Sequence, residues 1–296
     1  MRILGTGLTG LIGSRITELL SPNYSFESIS RSTGVDITNS DQVKEAITNS
    51  DCDVVLHLAA FTNVKEAEFE KAQGEASESW KINVTGTENI VAACNDSGKK
   101  LIYASTDLVF DGENTPEGGY TEGDGENPLN WYAKTKYEGE LRVRDAKSPW
   151  IVIRPAYPYR ASFEKNDFVR LFIQKLENHE PLTLLEDRIV TPTFIDDLAH
   201  AVDILLLKES TGIYHTVGST MLSIYHSAEV ISDIFGLDKQ LLSKTTRKEF
   251  LVDRPPEPFN SSLNNAKIRK LGAFMRTFAE GVQEVKSQQV TLGNKH

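Results

Sequence analysis

The sequence lacks any apolar run long enough to cross a bilayer. Its best aliphatic run, Ile204–Leu207, is stopped at once by Lys208. The start of the chain does not resemble a secretory signal, because Ser14 and Arg15, with the glycines and threonines before them, interrupt any apolar core. We therefore expect a soluble, cytoplasmic protein that does not act at a membrane.

Cysteine is also scarce, with Cys52 and Cys94 in 296 residues. Two cysteines cannot build a disulfide framework, and neither has neighbours with metal-ligand spacing. They are interpreted as buried small side chains in a reducing compartment. Four histidines show no metal spacing with neighbouring acids either, so no metal site is expected. They are His179, His200, His215 and His226.

A surplus of positive charge is absent. The net charge is −10 and the isoelectric point is near 5.2. Because phosphate backbones are held by clustered lysine and arginine, this balance argues against a nucleic-acid partner. Hydrophobic residues at 39% and charged residues at 25% are ordinary for globular proteins. The length suffices for one large α/β domain or a domain with an added lobe.

Glycines near the start of the chain predict a phosphate-binding turn. The stretch Ile3–Gly13, ILGTGLTGLIG, combines a short strand, a turn without side chains and a helix that opens at Leu11. A dinucleotide pyrophosphate needs the close backbone approach that glycine permits, and the N–H groups and positive dipole end of a helix. Two nested patterns fit, GxGxxG from Gly5 and GxxGxxG from Gly7. We prefer the second, because it lets the strand run on through Gly5 and puts Gly13 in the first helical turn.

Apolar runs alternate with helical patterns along the first half of the chain. Strands are expected at Arg2–Leu4, Phe26–Ser30, Asp53–Ala60 and Lys100–Thr106, and a fifth closes at Arg154-Pro155. Helices are expected at Leu11–Leu20, from a cap at Asp41 to Ile47, at Ala76–Asn95 and at Trp131–Glu140. Strands separated by helices indicate βαβ units with right-handed crossovers, and hence an α/β fold with a doubly wound parallel sheet.

Three polar features are given structural interpretations. His57, inside the third strand, is expected to be a satisfied core histidine. The stretch Asp111–Pro128, rich in Gly, Pro, Asn, Asp and Glu, is expected to be an irregular surface loop. The pair Asp196-Asp197 is interpreted as the N-cap and a first-turn acid of a helix.

The end of the second strand bears on the choice of cofactor. An acid at this point favours NAD by binding the ribose 2′-hydroxyl, whereas an arginine suits the 2′-phosphate of NADP. The sequence offers Ser30–Ser32 with no acid, so we predict NADP with Arg31 at the phosphate. NAD remains open, with Glu27 as a competing acid if the strand ends early. Asp36-Ile37 is expected at the adenine edge.

A tyrosine and a lysine one helical turn apart carry the predicted chemistry. Tyr132 and Lys136 share one face of the expected helix. Reduction of a ketone by a nicotinamide requires a proton donor at the oxygen, and an ammonium group nearby stabilises the phenolate that is left. A hydroxyl at the end of the fourth strand, from Thr106 or Ser105, can hold the carbonyl oxygen. Active groups of such sheets gather at this carboxyl edge.

Eight segments along the chain carry motifs of one known group. They are Thr6–Gly13, Asp53–Val64, Asn83–Asn89, Ser105–Gly112, Asn127–Lys136, Arg188–Ala199, Arg254-Pro255 and Asn260–Leu263. In these motifs the whole chain resembles the extended short-chain dehydrogenase/reductases, and within them the dTDP-4-dehydrorhamnose reductase type.

The resemblance implies a Rossmann domain with a smaller, discontinuous C-terminal substrate lobe. The dinucleotide-binding domain is expected at residues 1–155 and about 192–217, and the substrate lobe at about 156–191 and 218–296. The resemblance also implies that Thr106 orients the carbonyl, that Tyr132 is the acid, and that Lys136 supports it while binding the nicotinamide ribose. The predicted cofactor-binding residues are Gly7, Thr9, Gly10, Leu11, Ile12, Arg31, Asp36, Ile37, Leu58, Ala59, Ala60, Tyr132 and Lys136.

The predicted function is NADP(H)-dependent reduction of a carbonyl, on a 4-keto-6-deoxy nucleotide sugar, with a homodimer left open. Dehydratase relatives have Asp-Glu after the active threonine, but this chain has Asp107-Leu108, and leucine cannot transfer a proton. The alternative is a regulatory module that binds cofactor without turnover, as in the regulatory subunit of methionine adenosyltransferase, which is similar to these reductases. Specificity is expected in the loops Phe61–Glu70, Tyr157–Asp167 and Val252–Asn264.

Overall fold

The computed structural model describes residues 1–250 and 254–293, and the chain divides into two compact units. The first unit comprises Met1–Val109, Glu126–Arg154 and Leu205–Tyr214, and the second comprises Phe110–Gly125, Pro155–Ile204 and His215–His296. Residues 110–125, 155, 192–204 and 215–217 thus group with the second unit, although the ranges expected from the sequence placed them in the dinucleotide-binding domain. Parts of the expected substrate lobe and of the expected 252–264 loop lie outside the described residues.

The strands of both units are short. In chain order they are β1 (Arg2–Thr6), β2 (Ser25–Ile29), β3 (Val54–His57), β4 (Lys100–Ala104), β5 (Trp150–Arg154), β6 (Pro158–Tyr159), β7 (Leu182–Leu185), β8 (Ile189–Val190), β9 (Thr193–Phe194), β10 (Gly212–His215), β11 (Leu222–Ser223) and β12 (Leu242–Thr245).

Helices connect most of these strands. The α-helices are α1 (Leu11–Leu20), α2 (Ser40–Thr48), α3 (Val64–Glu70), α4 (Glu78–Trp80), α5 (Gly86–Ser97), α6 (Trp131–Arg144), α7 (Phe168–Glu177), α8 (Ile195–Leu207), α9 (Ile224–Phe235), α10 (Arg247–Phe250), α11 (Ala266–Lys270) and α12 (Phe278–Gly293). Short 3₁₀ turns occur at Arg31–Thr33, Lys71–Ala76, Asp107–Val109 and Lys239–Leu241, and a π-helical turn spans Lys81–Thr85.

The first unit is built on a six-stranded sheet in the order β10-β5-β4-β3-β1-β2. The pairings among β1 to β5 are parallel, which confirms the predicted doubly wound α/β fold. The chain leaves β1 for β2 on one side and later returns to β3 on the other, so the order reverses between β1 and β3. Ligands of such sheets bind outside the carboxyl ends of the strands at this switch point.

Apolar side chains on both faces of the sheet form the core of the first unit. Both cysteines lie in it, as predicted, with Cys94 on α5 and Cys52 just before β3. Burial raises the pKa of the Cys94 thiol to about 12, so it remains a neutral, unreactive side chain. His57 is 1% exposed, which confirms its interpretation as a core residue.

Several element boundaries differ from those expected. Helix α2 is capped by Asn39, whose Oδ1 accepts hydrogen bonds from the backbone N–H groups of Asp41 and Gln42, so the prediction of Asp41 as cap was wrong. The expected helix from Ala76 begins instead at Glu78 after the Ser77 cap. It contains the π-helical turn and ends before Gly98, which adopts a left-handed φ of 69°.

The strands β3 and β4 are shorter than expected, since the ladder stops at His57 and Ala104. The residues beyond them lie outside the strands at the carboxyl edge, although the Leu58 N–H still donates to the Thr6 carbonyl and the Ser105 N–H to the Ile153 carbonyl. The loop Asp111–Pro128 contains no helix or paired strand apart from one isolated bridge at Tyr120, as predicted. Helix α6 extends to Arg144, four residues past its expected end.

The second unit has its own apolar core, formed by α7, α9, α12 and the short strands around them. Three small pairings, β6 with β9, β7 with β12 and β8 with β11, replace a large sheet. Helix α8 begins at Ile195, so Asp196 and Asp197 both lie in its first turn and neither is the N-cap, contrary to expectation. Asp197 is 2% exposed and accepts hydrogen bonds from the backbone and side chain of Arg276.

In the portion of the chain that the structure describes, no helix combines the length and apolarity that a membrane crossing requires. The same portion contains no group of three or more His, Cys, Asp or Glu side chains arranged to hold a metal ion.

Candidate active site

The glycine turn after β1 is shaped by two close approaches. Gly7 has a φ of 67°, and a Cβ atom there would lie 2.6 Å from the backbone nitrogen of Ala59. Gly13 packs against the turn so tightly that a Cβ would overlap the Gly7 carbonyl. The turn therefore brings its backbone against the end of β3, directly at the switch point of the sheet. Gly10 is the N-cap of α1, whose N-terminal end opens onto this turn.

The predicted pyrophosphate and ribose residues line the same edge. Thr9 is exposed, and Gly10, Leu11 and Ile12 are half-buried at the start of α1. Across the switch point, Leu58, Ala59 and Ala60 follow β3 and are half-buried, and the N–H groups of Leu58 and Ala59 donate to the carbonyl and the hydroxyl of Thr6 on β1. The structure thus brings these two groups of predicted residues together.

The residues after β2 form a compact polar turn. Ser30 caps the 3₁₀ turn Arg31–Thr33, which ends at Gly34 with a φ of 86°. The Arg31 guanidinium makes ion pairs with Asp36 at 3.0 Å and with Glu78 at 3.3 Å. These partners raise the pKa of Arg31, the Glu78 hydrogen bond most of all.

Asp36 and Ile37 adopt different environments. The Asp36 carboxylate accepts hydrogen bonds from the backbone N–H and hydroxyl of Thr38, at 2.9 and 2.8 Å, and its pKa is lowered mainly by the backbone bond. Ile37 is buried, and its side chain packs so close to Gly86 on α5 that a Cβ there would lie 2.9 Å away. Ile37 therefore ties the loop after β2 to α5, whereas Asp36 braces the loop itself.

His57 connects β1, β3 and α5 through a buried chain of hydrogen bonds. The Thr87 hydroxyl donates its proton to the Asn83 carbonyl at 2.7 Å, so it can only accept from His57 Nε2 at 3.1 Å. His57 Nδ1 must then accept from the Thr6 hydroxyl, which lies 2.7 Å away and itself accepts from the Ala59 N–H. Burial lowers the pKa of His57 to about 3, in agreement with this neutral tautomer.

Tyr132 and Thr106 meet at the carboxyl edge beside this network. Both side chains are buried, at 9% and 7% exposure. Burial raises the pKa of Tyr132 far above its ordinary value, and the nearby Asp107 carboxylate raises it further, while a hydrogen-bonding interaction with Thr106 opposes part of the rise. Thr106 Oγ1 lies 3.2 Å from both Asp107 Oδ1, to which it donates, and the Leu108 N–H, from which it accepts.

Ser105, the other hydroxyl considered for this role, differs from Thr106. Its Oγ is buried and has no hydrogen-bond partner among the described residues, and its backbone N–H donates to the Ile153 carbonyl at 2.8 Å. The interaction with Tyr132 therefore favours Thr106 as the residue that works with the tyrosine.

Lys136 is 2% exposed, one turn after Tyr132 on α6. Its Nζ lies 4.3 Å from the centroid of the Tyr103 ring, a cation–π contact. Burial lowers the pKa of Lys136 to about 7, and the charge of Glu140 only partly opposes this effect. The side chain can therefore exchange its proton near neutral pH.

Sequence reasoning missed the residue that clamps the site together, Asn83 in the π-helical turn. Its Oδ1 accepts from the Phe61 N–H at 2.8 Å, and its Nδ2 donates to the Phe61 carbonyl at 3.1 Å and to Thr135 Oγ1 at 2.9 Å. Thr135 in turn donates to the Tyr132 carbonyl at 2.8 Å. Since π-helical turns frequently occur at functional sites, the turn itself is a signal, but one visible only in the structure.

Two carboxylates fix helix α6, one at its start and one past its middle. At its start, Glu68 Oε2 accepts from the Trp131 N–H at 2.7 Å. Past its middle, Glu140 is fully buried and pairs with the fully buried Arg154, which also contacts Glu126. Helix α6 is thus held against both α3 and β5, and Tyr132 and Lys136 have little freedom to turn away.

The profile of one protein family, described as RmlD substrate binding domain, matches residues 1–290. The chain belongs to this family. Known proteins of similar length agree with that placement. The dTDP-4-dehydrorhamnose reductase of Aggregatibacter actinomycetemcomitans is 30% identical over 283 residues, covering 91% of this chain and 92% of that protein. The spore coat polysaccharide biosynthesis protein SpsK of Bacillus subtilis is 29% identical over 284 residues, covering 96% of each.

Solved structures support the membership of the RmlD family as well. The crystal structure of dTDP-4-dehydrorhamnose reductase from Bacillus anthracis in complex with NADP superposes with a TM-score of 0.87 at 27% identity, covering 97% of this chain and 99% of that one. The expected extended short-chain dehydrogenase/reductase resemblance and the Rossmann-type fold are thereby confirmed.

Proposed function

We propose that this RmlD family member is an NADP(H)-dependent reductase of a carbonyl group, with a 4-keto-6-deoxy nucleotide sugar as substrate. The observation that carries the proposal is the convergence of Thr106, Tyr132 and Lys136, all buried, at the carboxyl edge of the sheet that also bears the Gly7 turn. The names of the relatives support the same reaction.

The residues at the edge fit a dinucleotide. The Gly7 turn packs its backbone against Leu58 and Ala59, where no Cβ would fit, and it opens onto the N-terminal end of α1, as a pyrophosphate requires. Ser105 Oγ, buried without a partner among the described residues, offers a polar contact that a ligand at this edge would satisfy. Arg31 lies at the end of β2, where a 2′-phosphate would be recognised.

The chemistry divides between cofactor and protein. When bound, NADPH would supply the hydride. Tyr132 donates its proton to the carbonyl oxygen, and the high pKa of this phenol keeps the proton in place until the oxygen becomes basic. Thr106, which accepts from the Leu108 N–H, positions the oxygen for that transfer by donating its hydroxyl proton to it in place of Asp107.

Lys136 stabilises the phenolate that remains and helps it recover a proton. Its pKa near 7 allows it to carry a positive charge in part of the molecules at neutral pH and to pass a proton on. The predicted contact of Lys136 with the nicotinamide ribose belongs to the same proposal, as do the cofactor roles of Gly7, Thr9 and the other edge residues.

Turnover of defined substrates tests the function. The purified protein is mixed with NADPH and a panel of nucleotide-linked and free keto sugars, and the loss of reduced-nicotinamide absorbance is followed with the mass of the product. We expect oxidation of NADPH only with a nucleotide-linked 4-keto-6-deoxy sugar, and a product that has gained two hydrogens. Binding of NADPH without turnover across the panel would instead support the regulatory alternative.

The same proposal includes the role of the second unit, the oligomeric state of the protein and its location in the cell. We propose that the second unit is the substrate lobe, and that the protein works in the cytoplasm as a homodimer. Light scattering of the purified protein tests the dimer, because a monomeric mass at micromolar concentration contradicts it.

A further inference from the structure

Glu78 reaches the predicted 2′-phosphate arginine, Arg31, from a distant part of the chain. It lies 47 residues after Arg31, as the first residue of α4, and its Oε1 accepts a hydrogen bond from Arg31 Nη2 at 3.3 Å. The Ser77 cap fixes the start of this helix by accepting from the Trp80 N–H. The position of the Glu78 side chain is therefore set by the helix and not by the loop after β2.

The guanidinium of Arg31 has its donors divided between two carboxylates. Nε donates to Asp36 Oδ2 at 3.0 Å and Nη2 donates to Glu78. Nη1 makes no hydrogen bond to any residue that the structure describes, and 63% of the side chain is exposed. Because a phosphate prefers two parallel N–H donors, a 2′-phosphate that uses Nη1 must compete with Glu78 for Nη2.

Glu78 also supplies an acidic side chain, which the end of β2 lacks. NAD-binding sheets place an acid there to accept the ribose 2′-hydroxyl, and this chain has Ser30–Ser32 in its place. A carboxylate brought to Arg31 from α4 puts a negative charge beside the same region. The Glu78 carboxylate repels a phosphate and can accept a hydrogen bond from a ribose hydroxyl.

We propose that Glu78 is a specificity-determining residue, an inference that rests on the proposed cofactor site. By accepting from Arg31 Nη2, Glu78 lowers the preference for NADP over NAD. In this chain the arginine favours the phosphate, and Glu78 reduces that advantage so that both cofactors bind. Removal of the Glu78 charge should free Nη2 and strengthen the binding of the 2′-phosphate selectively.

The test measures binding and not turnover. Dissociation constants of NADP⁺ and NAD⁺ are determined by titration calorimetry for the full-length protein and for Glu78→Gln, with Glu78→Ser as a second variant. We expect the NADP⁺ to NAD⁺ affinity ratio to rise by about threefold to tenfold, the effect of removing one charge close to a phosphate at a partly exposed site. The rise should shrink at high salt, because exposed charges are screened.

Two further variants separate the proposed route from a general charge effect. Glu75→Gln removes an exposed acid three residues away and should leave the ratio unchanged. In an Arg31→Gln background, Glu78→Gln should lose most of its effect, since the proposal acts through Arg31. An unchanged or lower ratio in both Glu78 variants overturns the inference, whereas failure of the unaltered protein to bind either nucleotide overturns the proposed function.

Discussion

Lys136 Nζ lies 4.3 Å from the centroid of the Tyr103 ring, and the Tyr103 hydroxyl donates to the Lys136 carbonyl at 3.1 Å. One buried tyrosine of β4 thus holds the lysine of α6 at both its side chain and its backbone. Burial removes the water that would solvate the Lys136 ammonium, and the Tyr103 ring replaces only part of that stabilisation. The pKa of Lys136 is therefore lowered.

This buried ammonium predicts a stability that depends on pH. The pKa of Lys136 is about 7 in the folded protein, against an ordinary 10.5, so the unfolded chain binds more protons between these values. The cost of the buried charge is therefore fully present below pH 7 and is relieved as the pH rises. This residue should add up to about 1.4 kcal/mol per pH unit to the free energy of unfolding in that window.

Urea unfolding at several pH values between 7 and 10 checks this prediction in the wild type and in Lys136→Met. Methionine keeps an unbranched side chain without the charge, so the titration of other groups cancels in the difference. The wild type should gain stability relative to the variant as the pH rises. Parallel stability curves would show that Lys136 does not titrate in this range.

The Gly7 turn predicts a selective effect of a single methyl group. In Gly7→Ala the backbone of an alanine must adopt a φ of 67°, and its Cβ would lie 2.6 Å from the Ala59 nitrogen. Strain of the left-handed backbone alone costs about 1–2 kcal/mol, and displacement of the turn should weaken NADP⁺ binding more than tenfold. The matched control is Gly98→Ala, where φ is 69° and no atom lies within 4 Å of the added Cβ. It should lose stability but keep its affinity.

The Asn83 clamp predicts a loss of both stability and turnover. Asn83→Ala removes three hydrogen bonds, two to the half-buried backbone of Phe61 and one to the buried Thr135 hydroxyl, which keeps only its bond to the Tyr132 carbonyl. We expect the free energy of unfolding to fall by about 2–4 kcal/mol. The kcat should fall with it, because Thr135 no longer holds the Tyr132 carbonyl firmly. Asn39→Ala, which removes only the cap of α2, should cost about 1 kcal/mol and leave kcat intact.

The parts of the site with local signals could be predicted from the sequence. Gly7 and Gly13 reveal a turn because their requirement for space is set within a few residues. Tyr132 and Lys136 are placed on one face by helical periodicity alone. The end of β2 is also a local feature, so Arg31 could be singled out although its partners could not.

The parts that depend on long-range contacts could not be predicted. Asn83 bonds to Phe61 and Thr135, which lie 22 and 52 residues away, so the motif Asn83–Asn89 could be singled out from the sequence but the role of Asn83 could not. Glu78 reaches Arg31 across 47 residues. The error at Asp41 has a different cause, because Asn39 and Asp41 are both good caps and only the backbone conformation decides between them.

The central claim is that Tyr132 delivers the proton to the substrate. It is tested most directly by the kcat of Tyr132→Phe with NADPH and a nucleotide-linked 4-keto-6-deoxy sugar, with Tyr137→Phe on the same helix as control. We predict that kcat falls by about 10²-fold to 10⁴-fold in Tyr132→Phe at saturating NADPH, and that Tyr137→Phe retains the kcat of the wild type. A Tyr132→Phe variant that turns over as fast as the control would contradict the account.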